Sequence, residues 1–174
     1  MKIEENYSIK DINSLRINQL AKYFCSIETG EQFLEAIEFS RLKRLPILFI
    51  GEGSNIVFTK DYDGLVIKNN IFGKIEHDER TVEISSGENW HNFVDWSLSN
   101  EKYGLENLAL IPGTVGASPI QNIGAYGKEV SEFIKEVKSI NTLTTEERIF
   151  SKEECKFGYR SSVFQNKKDY FITS

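Results

Sequence analysis

Ala21-Lys22-Tyr23-Phe24-Cys25-Ser26-Ile27 alternates apolar and polar positions, the period-two signature of a strand. Thr29-Gly30-Glu31-Gln32 follows with capping-box spacing: a Thr hydroxyl and a Gln amide each satisfy a backbone donor that the first helical turn leaves unpaired. Phe33, Leu34, Ile37 and Leu42 then recur at helical spacing, which predicts a helix through Lys43. The uninterrupted apolar run Leu45 to Ile50 predicts a buried strand, and Gly64-Leu65-Val66-Ile67 predicts another. Residues 1–67 thus read β-α-β-β, a small α+β lobe.

A second lobe covers 68–174. Thr81 to Ser85 alternates as a strand, and Asn89 is placed to cap a helix carrying Trp90, Phe93, Val94 and Leu98 on one face. Glu136 to Asn141 and Arg148-Ile149-Phe150 read as a strand pair joined across Thr144-Thr145-Glu146. Ser151 to Glu154 is a second capping box and predicts a short helix. Asp169 to Thr173 reads as a last strand, which has to pair or fray so near the terminus.

Composition narrows the partners. The 174 residues are 40% hydrophobic, enough for one domain or two small lobes with no help from disulfides or a structural metal. A net charge of −5 without any Lys/Arg block gives no general attraction to nucleic acid. The start, Met1-Lys2-Ile3-Glu4-Glu5-Asn6, has acids where a secretion signal needs an apolar run, and no stretch reaches the ~18–20 apolar residues of a membrane span. A cytoplasmic protein with no membrane or nucleic-acid partner is expected. Cys25 and Cys155 read as reduced thiols packed as small hydrophobes, and neither they nor His77 and His91 have the spacing of metal ligands.

Three segments carry candidate chemistry. Gly51-Glu52-Gly53-Ser54-Asn55 directly follows a strand; its glycines permit a turn whose amides face an anion, and equally an ordinary turn. It lacks the third glycine and the helix of a dinucleotide fingerprint. The run from Ile111 to Gly127 holds four glycines and two prolines, too many for a regular helix or central strand. Its neutral groups, Thr114, Ser118, Gln121, Asn122 and Tyr126, sit among small and apolar residues. That suits wrapping a flat uncharged ring while bonding its edge, or else a packed structural loop. In the third segment, Cys155 to Ser162, Arg160 is a planar, permanent cation able to hold a carboxylate by two hydrogen bonds, or a solvated surface residue.

Five ordered motifs together carry a resemblance. Gly51 to Asn55, Ser86-Gly87-Glu88-Asn89-Trp90, Gly104-Leu105-Glu106-Asn107-Leu108, Ile111 to Gly127 and Phe157-Gly158-Tyr159-Arg160 resemble, in order, the flavin half of the UDP-N-acetylenolpyruvoylglucosamine reductases (UDP-N-acetylmuramate dehydrogenases, MurB). The resemblance implies the two-lobed FAD-binding fold of the vanillyl-alcohol-oxidase/PCMH type. It also implies an FAD-dependent, NADPH-using oxidoreductase of peptidoglycan precursor synthesis, acting on a UDP-sugar enolpyruvyl substrate. By that likeness Gly51, Glu52, Gly53, Ser54 and Asn55 take the cofactor's pyrophosphate. Ile111, Pro112, Gly113, Gly116, Ala117, Ser118, Ile120, Gln121, Asn122, Gly124, Ala125, Tyr126 and Gly127 line the rest of it, Tyr159 lies near the flavin, and Arg160 is the catalytic arginine.

Hydride transfer to the enolpyruvyl group develops negative charge beside the substrate carboxylate, and a fixed cation there lowers the barrier. Loss of one such group typically costs ~10²–10³ in rate. The family's members continue beyond the point matching Ser174 into a substrate-binding domain that supplies a proton-donor serine and a late glutamate, and neither is assigned in this chain. The expectation is a flavin-binding half that does not turn over alone. A non-catalytic flavin-binding protein, or another oxidoreductase on the same fold, are the alternatives.

Overall fold

A computed structural model describes residues 1–174, which form two compact units, Met1–Ile71 and Phe72–Ser174. In the first, β1 (Glu4–Ser8), β2 (Leu20–Ile27), β3 (Ile47–Ile50) and β4 (Tyr62–Asn69) make one sheet in the order β1-β2-β4-β3. β1 runs antiparallel to β2, whereas β2, β4 and β3 are mutually parallel. The parallel arrangement follows from α1 (Gly30–Lys43), which carries the chain back between β2 and β3. Thr29 caps α1 by accepting from the Gln32 amide at 3.2 Å, but the Gln32 side chain reaches the Glu28 amide at 2.7 Å, one residue before the cap.

Three sequence expectations change here. β1 is additional to the β-α-β-β reading; its Glu4 and Glu5 mark a charged edge strand rather than an alternating one. β3 was expected to be buried, yet it is the other edge and mostly half-buried; β4, central between β2 and β3, has Gly64 to Ile67 fully covered. On α1 the buried stripe is Phe33, Ala36, Ile37 and Ser40, while Leu34 and Leu42 face outward.

The second unit holds a two-stranded hairpin, β5 (Lys74–Glu76) with β6 (Val82–Ile84), then α2 (Trp90–Ser99). β7 (Gly124–Ala125) and β8 (Lys128–Glu129) form a short hairpin. β9 (Glu136–Asn141), β10 (Glu147–Ser151) and β11 (Tyr170–Ile172) make an antiparallel sheet with β9 in the middle. Asn89 caps α2 by accepting from the Asn92 amide at 2.8 Å, and Trp90, Phe93 and Val94 enter a core with Leu105, Leu108 and Val130. Leu98, expected on that face, is only half-buried; Ser97 takes the covered position.

The last strand does pair, with β9. The helix expected after Ser151 is absent. Both capping bonds form, at 3.3 Å to Ser151 Oγ and 3.0 Å to Glu154 Oε2, but the left-handed backbone of Lys156 (φ 48°) stops the chain after one turn. Burial pushes the thiols of Cys25 and Cys155 up to about 12 and about 11, as expected of unreactive packed side chains.

Glu83 of β6 ties the hairpin to the far sheet. Its carboxylate accepts from Lys138 Nζ of β9 at 2.7 Å and from Ser174 Oγ at 2.9 Å, and lies 3.1 Å from His77 Nε2. The hydrogen bond from Lys138, followed by those from Ser174 and His77, holds its carboxyl at about 2. A depressed carboxyl stabilises the folded form above its unfolded pKa, near 4.5, and loses that contribution as pH falls toward 2. Glu83→Gln is therefore expected to be less stable than the native chain at pH 7, with the gap narrowing between pH 4.5 and 2. Urea unfolding at several pH values checks this; a gap independent of pH would contradict it.

Candidate functional site

In the first unit the candidate turn Gly51–Asn55 leaves β3 at the carboxyl ends of the parallel strands, where open parallel sheets bind ligands. The register pairs Ile50 with Lys68, so the next residue, Gly51, lies beside the Lys68 side chain and its carbonyl accepts from Lys68 Nζ. Burial lowers the Lys68 pKa, while the Glu52 carboxylate opposes that shift. Sequence reading did not single out Lys68, because only the parallel register brings it to the turn.

Gly53 is left-handed (φ 63°), and its carbonyl accepts from the Ser14 amide at 3.1 Å and the Ser14 hydroxyl at 3.2 Å. A β-carbon there would fall 2.3 Å from the Ile12 carbonyl oxygen, so only glycine lets the turn rest on the chain at 12–14. The carbonyls of Gly51 and Gly53 are thus engaged within the protein, whereas the amides of Gly53, Ser54 and Asn55 meet no acceptor in it. Successive amides in a tight turn are able to form a concave anion site when they point the same way.

The long loop belongs to the second unit and is anchored on Trp90. Trp90 Nε1 donates to the Leu108 carbonyl at 2.7 Å, the Trp90 amide to Gly113 at 2.9 Å, and the Val115 amide to Glu88 at 2.9 Å. The loop's members then divide by direction. Gly113, Thr114, Gly116, Ser118, Pro119 and Asn122 are buried. Ser118 Oγ donates to the Val115 carbonyl at 2.8 Å, so its hydroxyl serves the loop itself.

Asn122 is fully buried and left-handed (φ 48°). Its Nδ2 donates to Glu129 Oε2 at 2.8 Å and to the Gly158 carbonyl at 2.9 Å, and its Oδ1 accepts from the Ser131 amide at 3.1 Å. Gln121 is half-buried and engages no partner in the chain. Ile111, Ala125 and Gly124 are half-buried; Pro112, Ala117, Ile120, Tyr126 and Gly127 are exposed.

Tyr126 and Gly127 form the tip of the β7–β8 hairpin, both with positive φ (49° and 77°), as a two-residue type I′ turn requires. Tyrosine is an uncommon choice at a position that favours Asn or Gly, and it leaves the ring 88% exposed. The Tyr126 carbonyl accepts from Asn107 Nδ2 at 3.1 Å, which draws the third motif, Gly104 to Leu108, to the loop.

The structure brings the second and third candidate segments together. Besides Asn122 Nδ2 on Gly158, Ser162 Oγ donates to the Ile120 carbonyl at 2.7 Å, and Arg160 donates from Nη1 to the Asn122 carbonyl (3.2 Å) and from Nη2 to the Gly124 carbonyl (2.6 Å). Arg160 also lies 5.0 Å from the centre of the exposed Tyr159 ring. Its cation is fixed on the loop rather than loose in solvent. A separate cavity of about 510 Å³, lined by Trp90, Phe93, Tyr103, Leu105 and Phe133, reaches the loop at Val115, Ser118 and Pro119 but not at Gln121, Tyr126 or Arg160.

Residues 21–148 match the family described as FAD binding domain. The chain belongs to this FAD-binding family. Among curated proteins it is 42% identical to the UDP-N-acetylenolpyruvoylglucosamine reductase of Flavobacterium johnsoniae over 99% of its own length and 52% of that protein. With the Escherichia coli protein of the same name it shares 43% identity over 92% of its length and 48% of the relative. The chain spans about half the length of the curated relatives it matches.

Among solved structures, MurB from Thermus caldophilus superposes with a TM-score of 0.78 at 23% identity, covering 99% of this chain and 60% of that one. p-Cresol methylhydroxylase does so at 0.60 and 14% identity, covering 97% and 36%. These likenesses show the fold, which is the FAD-binding type of the vanillyl-alcohol-oxidase/PCMH class expected from the sequence. No helix of this FAD-binding chain is long and apolar enough to cross a membrane.

Proposed function

We propose that the chain is the flavin-holding half of a cytoplasmic, NADPH-dependent reductase that converts UDP-N-acetylglucosamine enolpyruvate to UDP-N-acetylmuramate for peptidoglycan synthesis. The observation that carries the reading is Arg160 clamped to the glycine-rich loop, beside identities of 42–43% to reductases of that name. The residues present suit FAD. The unpaired amides of Gly53, Ser54 and Asn55, with the Lys68 ammonium at the base of their turn, suit a diphosphate. The outward members of the loop, Pro112, Ala117, Ile120, Gln121, Tyr126 and Gly127, together with Tyr159, offer a neutral, partly apolar frame for flat rings.

Within this reading the inward members, Gly113, Gly116, Ser118 and Asn122, shape the frame rather than touch the cofactor. FAD, when bound, supplies the hydride taken from NADPH. Arg160 supplies the charge: a guanidinium already fixed by two carbonyls needs no reorganisation to face the negative charge that develops on the enolpyruvyl group.

Titrating FAD into the purified chain tests the reading. Saturable quenching of flavin fluorescence, reversed by excess ADP as a competitor for the diphosphate turn, is the expected result. A colourless protein that takes up no FAD would overturn it.

A further inference from the structure

Arg160 is held from more sides than a surface arginine needs. Its two carbonyl bonds come from Asn122 and Gly124, and use two of the five guanidinium N–H donors. The guanidinium lies so close over Gly124 that a β-carbon there would come 2.6 Å from Nη1. Glu129 stands on another side, with Oε1 3.8 Å from Nη1. Its carboxylate is itself fixed, by Asn122 Nδ2 at 2.8 Å and by the amide of Glu132 in a capping box. Asn122 thus contributes twice, through its carbonyl to Arg160 and through its side chain to Glu129. The Arg160 backbone is left-handed (φ 51°), and its carbonyl accepts from Gln165 Nε2 at 3.1 Å.

We infer that Gly124, Asn122 and Glu129 are positioning residues for Arg160: they hold its guanidinium in one place on the loop and leave its remaining N–H groups for an anionic ligand. Gly124 supplies room, Asn122 supplies an acceptor and orients Glu129, and Glu129 supplies the charge that keeps the cation from swinging into solvent. The role given to Arg160 rests on the proposed function, but the clamp is a property of the chain alone and is measurable without turnover.

Nuclear magnetic resonance of the ¹⁵N-labelled chain reads it directly. A guanidinium bonded at both Nη atoms rotates slowly and shows separate Nη signals, whereas a free one shows a single averaged signal. The Arg160 signals, assigned by their loss in Arg160→Lys, are expected to be separate, and those of the exposed Arg80 averaged. Gly124→Ala should merge the Arg160 signals, and Glu129→Gln should speed their exchange several-fold, while Arg148, paired with Glu154, stays unchanged in both. A structural role in the loop alone would lower stability without moving the Arg160 signals.

Averaged Arg160 signals in the native chain, or no response to either substitution, would overturn the inference. Should Gly124→Ala fail to fold, Glu129→Gln decides. FAD titration of the same samples separates the two readings. Uptake with averaged Arg160 signals defeats the clamp and spares the function; separate signals without uptake do the reverse.

Discussion

Replacing Asn122 by Asp is expected to destabilise the second unit by about 3 kcal/mol or more, although the two side chains have nearly the same shape. The Asn122 amide donates to Glu129 and to the Gly158 carbonyl, and its oxygen accepts from the Ser131 amide. An Asp carboxylate keeps only the last of these. It would present a negative charge to the Glu129 carboxylate and to a carbonyl oxygen, in a position with no access to solvent. Each buried group left without a partner costs roughly 1–3 kcal/mol, and the like charges add to that. Urea denaturation followed by Trp fluorescence measures the loss, since Trp90 and Trp96 both lie in this unit. A midpoint unchanged from the native protein would show that the knot of bonds around Asn122 contributes nothing.

The second large effect is expected in the first unit. Gly53→Ala should cost about 3 kcal/mol or more, and Gly30→Ala almost nothing. At Gly53 the added carbon would meet two backbone groups, the Ile12 oxygen at 2.3 Å and the Asn13 α-carbon at 2.7 Å. Neither can retreat without breaking the Ser14 bonds to Gly53 or those of the buried Asn13 side chain to Ile9 and Ile17. Overpacking commonly costs roughly 1–3 kcal/mol, and a left-handed non-glycine backbone about 1 kcal/mol more. Gly30 opens α1, has nothing within 4 Å of the added carbon and no positive φ. Alanine favours a helix by about 0.5–1 kcal/mol over glycine. Thermal unfolding of the two variants side by side gives the comparison; equal transitions would refute the close contact at Gly53.

The features legible in the sequence are those decided within a few residues. Thr29 and Asn89 were recognisable caps because a cap needs only its own side chain and the next helical turn. The β9–β10 pair was legible because a short polar connection joins two periodic segments. Where position in the sheet decides, local pattern misleads. Ile47 to Ile50 is as apolar as a central strand, yet chain order does not reveal that β4 inserts between β2 and β3 and leaves β3 at the edge. The Ser151 capping box formed without its helix, because a box can close one turn and the backbone of Lys156 allows no second.

The candidate site divides in the same way. The glycine-rich segments and Arg160 stand out by composition, since few other tasks combine four glycines, two prolines and neutral donors in one run. The different fates of Gln121 and Asn122 are invisible in sequence: adjacent, chemically alike amides, one without a partner in the chain and the other wholly engaged by three segments. Lys68 was hidden for a related reason, since a lysine near the end of an apolar strand gives no hint that the parallel register sets it against Gly51.

Burial of both cysteines has a consequence for a protein of this family. Reduced flavins react with oxygen and release peroxide, and a cysteine is oxidised by peroxide when its thiolate attacks the peroxide oxygen and expels hydroxide. With their thiols raised to about 12 and about 11, Cys25 and Cys155 remain almost wholly protonated at neutral pH, and each is shielded by its own core. Neither cysteine of this FAD-binding chain therefore offers peroxide a ready thiolate.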